Sequence, residues 1–94
     1  MPMDTILQIP IKIIKEQELV IGPLAWTEAQ KVTGLTVDQA HSSVSFAGDG
    51  TDIINRLVAQ YEKIFGKASR EVCKDAVVNL IANLPASEVP SSLR

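Results

Sequence analysis

The sequence predicts an α+β fold, mostly α: about four helices and a short two-stranded antiparallel β element in one small domain. Three observations lead there. Residues 53–84 place Ile53, Ile54, Leu57, Val58, Tyr61, Ile64, Phe65, Ala68, Val72, Ala76, Leu80, Ile81 and Leu84 at steps of three or four almost without a miss, the spacing that lines one face of a helix. Gly22-Pro23 and Gly66 punctuate two helical stretches, glycine ending helices in a left-handed cap and proline opening them with a preset φ. Apolar and polar residues alternate over residues 5–14 and again over residues 43–47, the pattern of half-buried strands. An all-α arrangement is the alternative.

Taken in order, residues 5–14 set Leu7, Ile9, Ile11 and Ile13 against Gln8, Pro10 and Lys12, which reads as an edge strand because Pro10 has no N–H for a ladder. The rival reading opens a helix at Pro10 and continues it through Ile14, Leu19 and Val20 to Ile21. Residues 15–32 read as a helical corner turning at Gly22-Pro23, with Leu24, Ala25, Ala29 and Val32 available for burial and Trp26, the single tryptophan, as a core or interface anchor. Thr33-Gly34 stops that helix, and residues 35–39 form a short extended piece or a helical turn. Residues 43–47 are a short strand, with residues 5–14 as its expected partner.

Gly48-Asp49-Gly50 forms a loop, Thr51 caps the next helix, and Asp52 stands one turn before Arg56 at ion-pair spacing. An unbroken helix over residues 53–84 would be about 48 Å long at 1.5 Å per residue, against a diameter of about 30 Å for a compact chain of this length. Residues 52–84 are therefore expected as two helices hinged at Gly66. Pro85 ends the second, and residues 86–94 form a tail of at most one further turn. The two corners echo each other: residues 18–25 and 62–69 both give an acid, two apolar residues, a glycine and a small-residue helix start.

Composition narrows the function. A 94-residue chain builds one modest core, with stability of about 5–10 kcal/mol. A net charge of −2 with dispersed Lys and Arg argues against general nucleic-acid binding, which needs a basic field to replace phosphate counterions. One cysteine forms no internal disulfide, which suits a reducing compartment, and offers no metal-ligand cluster. The N-terminus has no basic leader, and no apolar run approaches the roughly 20 residues of a membrane span. A cytoplasmic location, with no membrane or nucleic-acid partner, is expected.

The residues that could carry chemistry are few. Residues 46–54 resemble the Gly-Gly-Asp-Gly-Thr phosphate loop of diacylglycerol kinases and NAD kinases, and less closely the Gly-Asp-Gly loop of haloacid dehalogenase-like phosphatases. In such a loop Gly48 and Gly50 would let backbone N–H groups approach a phosphate, Thr51 would mark the helix N-terminus, and Asp49 could hold Mg²⁺. Ala47 stands where the kinases have their first glycine, and the phosphatases' nucleophilic Asp-x-Asp-Gly is absent. His41, the single histidine, has Asp38, Ser42, Ser43 and Ser45 as neighbours. A Ser-His-Asp relay needs the fold to converge such groups, and the expected role of His41 is a solvent-facing loop residue. Cys73 is expected as a small, partly buried residue rather than a nucleophile.

Residues 21–25, Ile-Gly-Pro-Leu-Ala, and more loosely residues 65–76 followed by Leu80, Leu84 and Pro85, resemble a small helical module of unknown function at the C-terminal ends of bacterial serine/threonine kinases and response regulators. Lys67 stands where a second copy of its pattern would have proline. The resemblance implies an accessory, noncatalytic role in signalling. The expected function is a noncatalytic interaction or regulatory module without cofactor or metal, not an enzyme. It would self-associate, as a dimer first, or bind a signalling protein through an apolar helical face carrying Trp26, Leu57, Tyr61, Ile64 and Phe65. The alternative is a small phosphate-ligand or nucleotide binder using Gly48, Asp49, Gly50 and Thr51.

Overall fold

The computed structural model describes residues 2–93, with side chains from Ile6 onward apart from that of Glu88. Four helices and one antiparallel hairpin follow in the order α1 (Pro2–Ile21), α2 (Leu24–Gln30), β1 (Leu35–Asp38), β2 (Ser43–Phe46), α3 (Gly50–Phe65) and α4 (Ala68–Ile81), ending in two 3-10 turns, Ala86–Glu88 and Ser91–Leu93. The fold is α+β and mostly α.

Residues 5–14 are helix, not an edge strand, and the helix begins well before Pro10. Isoleucine or leucine stands at 6, 7, 9, 11, 13 and 14, so the segment satisfies a period of 2 and a period of 3.6 alike. Burial chooses the helix: Ile9, Pro10, Ile13, Ile14 and Gln17 share a fully buried face, while Leu7 and Ile11 lie at its margin. Pro10 leaves the carbonyl one turn before it without a backbone donor, a loss of about 3 kcal/mol in a helix interior, here opposed by complete burial of its ring.

The partner of the 43–46 strand is instead β1, in the register Leu35↔Phe46, Thr36↔Ser45, Val37↔Val44, Asp38↔Ser43. Leu35, Val37, Val44 and Phe46 thereby share one face and turn it to the core, with the polar residues outward.

Gly66 stands between α3 and α4 at φ +89° and ψ 179°, a conformation open to glycine alone. The break keeps the molecule within 31 × 25 × 19 Å. The cap of α3 is Asp49 rather than Thr51: its carboxylate accepts the Thr51 N–H at 3.1 Å. Asp52 and Arg56 pair at 2.7 Å as their spacing predicts. The 86–94 segment is no loose tail up to residue 93. Pro90 and Leu93 are buried, Asn55 Oδ1 accepts from Ser92 N (3.1 Å) and Ser92 Oγ (2.6 Å), and Arg70 Nε donates to the Ser92 carbonyl at 3.2 Å.

The echo between the corners extends through both halves. Buried positions 9, 10, 13, 14 and 17 of α1 recur 44 residues later as 53, 54, 57, 58 and 61 of α3, and Ala25 and Ala29 recur as Ser69 and Cys73. The corners are closed by matching bonds: Gly22 N to Glu18 O (2.8 Å) and Gly66 N to Glu62 O (2.9 Å), then Ala25 N to Gly22 O and Ser69 N to Gly66 O (both 3.1 Å). Two side chains then lock the halves reciprocally. Gln17 Nε2 donates to the Ser69 carbonyl at 3.0 Å, and its counterpart Tyr61 Oη donates to the Ala25 carbonyl at 2.6 Å. Each half thus clamps the first turn of the other's second helix, an approximate two-fold exchange that brings both glycine corners to one end of the molecule.

Candidate functional site

Of the five residues expected on a contact face, three lie inside the protein. Trp26, Leu57 and Tyr61 are at most 3% exposed, because the 53–65 stripe packs on α1 and α2 instead of facing out. Phe65 is half-buried and Ile64 is 45% exposed. Of the other large apolar side chains that are exposed, Val78 stands on α4 at 57% and three lie together. Leu19 is 81% exposed, Val20 65% and Leu24 52%, all beside the Gly22 corner, and of these Leu24 was expected to be available for burial. Val20 and Ile64 are counterparts in the two halves, one exposed beside each glycine corner. The signal in the sequence was the echo itself, which places Val20 and Ile64 at the same step before a glycine.

Beside the Gly22 corner an open groove of about 370 Å³ runs between α1 (Lys15, Glu16, Glu18, Leu19), Trp26 of α2 and the hairpin turn (Gln39, Ser42). Trp26 Nε1 is buried and has no hydrogen-bond partner among the described residues, and neither does Gln17 Oε1. A buried polar atom left unpaired costs about 1–3 kcal/mol. On the other side of α2, Glu28 is held by Gln60 Nε2 (2.9 Å) and Lys31 Nζ (3.0 Å), and those bonds keep its carboxyl below the ordinary carboxylate range. Gln17 and Glu28, two polar residues of the interior, were not legible as such from the sequence.

The Gly48–Thr51 loop spends its features on the fold. Thr51 N–H goes to Asp49, Ile53 N–H to the Asp49 carbonyl at 3.0 Å, and Ala47 N–H to the Gly34 carbonyl at 2.7 Å. Glycine is required at position 50 by packing, since a Cβ there would stand 2.9 Å from the Phe46 ring and 3.1 Å from Ile6. His41 Nδ1 pairs with Asp38 Oδ2 at 2.6 Å in the exposed hairpin turn and bonds none of the neighbouring serines. The bond from His41 holds the Asp38 carboxyl below its ordinary range. No group of three potential metal ligands occurs among the described residues, and no helix among them is long and apolar enough to cross a membrane.

Cys73 is buried, and burial pushes its thiol up to about 11, against a smaller opposing pull from the Gln17 amide at 3.4 Å. Burial raises the Tyr61 hydroxyl as well. Both groups hold their protons more tightly folded than unfolded, so the Cys73 contribution is complete below about pH 9 and is lost as pH rises toward 11, while that of Tyr61 is complete below about pH 10 and starts to be lost only above it. We expect stability to fall over those ranges by up to about 1.4 kcal/mol per pH unit for each such group. Denaturant melts from pH 7.5 to 11 check this, and a Cys73→Ala variant should show a shallower decline. A flat profile would contradict the assigned burial.

Compared with known protein families, curated proteins and solved structures, the chain matches none.

Proposed function

We propose that the chain is a noncatalytic protein-interaction module that self-associates, with a dimer as the first species, through the apolar end where its two glycine corners meet. The observation that carries the reading is the exposure there of Val20, Leu24 and Ile64, large apolar side chains that a 94-residue domain would otherwise bury. Each half supplies one such side chain beside its corner, Val20 and Ile64, as a surface that serves both partners of a two-fold pair requires. The Ile21-Gly22-Pro23-Leu24-Ala25 corner, with its resemblance to a module attached to bacterial signalling proteins, gives this reading its context: an accessory part in cytoplasmic signalling. Sedimentation velocity at micromolar concentration tests it. The expected result is a dimer that Val20→Glu with Leu24→Glu converts to monomer while the circular dichroism spectrum stays unchanged. A strict monomer in the unaltered protein overturns the reading.

A further inference from the structure

The two glycine corners are alike in backbone and opposite in charge. Tyr61, five residues before Gly66, bonds Ala25, three residues after Gly22, and Gln17 and Ser69 repeat those steps with the halves exchanged. Each corner therefore lies about 7.5 Å or less along its helix from a contact that the halves share. Residues 18–24 carry Glu18 alone, a net −1, whereas residues 62–68 carry Glu62 with Lys63 and Lys67, a net +1. Three further residues on either side leave both signs unchanged, since Lys15 offsets Glu16 and Arg70 offsets Glu71. Lys63 stands at the step of Leu19 and Lys67 at that of Pro23. Lys63 and Lys67 are exposed, and among the described residues neither they nor Glu18 enters an ion pair.

A two-fold pair of copies joined end to end can bring its corners together in two ways: like on like, or each Gly22 corner on the other copy's Gly66 corner. Like on like sets Lys63 and Lys67 against their own copies and Glu18 against Glu18, which repels. We propose that the dimer takes the crossed pairing, the Gly22 corner of each copy seated on the Gly66 corner of the other. This rests on the self-association proposed above and fixes its orientation. In the crossed pair Val20 meets the partner's Ile64. The aliphatic stem of the partner's Lys63 covers Leu19, 81% exposed in the single chain, while its ammonium group reaches toward Glu18. Two-fold symmetry makes each contact twice, so the preference set by charge counts twice.

Cysteine cross-linking reads the pairing directly, because Val20 and Ile64 are exposed and the native Cys73 is buried. A mixture of Val20→Cys and Ile64→Cys chains, oxidised in air with copper phenanthroline, should form linked pairs of one chain of each kind. Neither variant alone should link, since cysteines bridge only when their Cα atoms come within about 7 Å. Sedimentation gives a second readout. Raising salt from about 50 to about 500 mM should weaken the dimer, because opposite charges meet across it. Lys63→Glu with Lys67→Glu should weaken it about tenfold, and adding Glu18→Lys to that variant should recover part of the loss. Val20→Cys chains that link to one another as readily as to Ile64→Cys chains overturn the crossed pairing and leave self-association standing, as does a dimer that salt tightens or leaves unchanged. A strict monomer overturns both.

Discussion

Tyr61→Ala should destabilise the protein by about 3–5 kcal/mol, the range for deleting a buried aromatic side chain, and so should leave the chain at or near unfolding. Tyr61 is completely buried at the centre of the face that α3 turns to α1 and α2, and its hydroxyl closes one of the two reciprocal locks, at 2.6 Å from the Ala25 carbonyl. The loss therefore combines a cavity with an unpaired carbonyl at the first turn of α2. Tyr61→Phe separates the two. It keeps the ring and removes only the hydrogen bond, for an expected 0.5–1.5 kcal/mol or about a quarter of the whole. Urea melts of both variants provide the measurement. Equal losses would mean that the ring is not packed as described.

Gly66→Ala should cost about 1–3 kcal/mol, the penalty for holding an L side chain in a region of φ and ψ that only glycine populates. Space is not the cause, since a Cβ at position 66 would meet nothing within 4 Å; the strain lies wholly in the backbone at φ +89°. The sign is decisive. In a continuous helix over residues 53–84 the same substitution would stabilise by about 1 kcal/mol, because it would remove an interior glycine. Gly22, at φ +74° and equally open, should show the same direction of effect. Thermal melts of Gly66→Ala thus test the hinge that folds α4 back along α1.

How much was legible varies by element. The break at Gly66, the corner at Gly22-Pro23 and the Asp52–Arg56 pair lie within a few residues of their causes, so local chemistry settles them. Three of the five residues named for a contact face are buried, because periodicity marks which side chains share a face and says nothing about whether a neighbour covers it. Trp26, Leu57 and Tyr61 proved to be that core, and Leu19, Val20 and Leu24 were left outside because the chain turns away at Gly22. The Gly48-Asp49-Gly50-Thr51 loop, for which a phosphate ligand was the alternative reading, packs its glycine at 50 against the Phe46 ring and caps a helix with its aspartate.

By itself the sequence determined a mostly helical α+β chain with two glycine corners and a second helical pair that cannot run straight. These follow from backbone restrictions of individual residues and from the length of an α-helix against the size of the chain. Only the tertiary structure decided that residues 5–14 are helix, that β1 is the partner of β2, and that Gln17 and Tyr61 lock the two halves to each other. A segment with an aliphatic side chain at nearly every other position fits either period, and burial against α3 and α4 is what chooses between them. The reciprocal bonds join residues 36 and 52 positions apart, and nothing in the local sequence determines such a pairing.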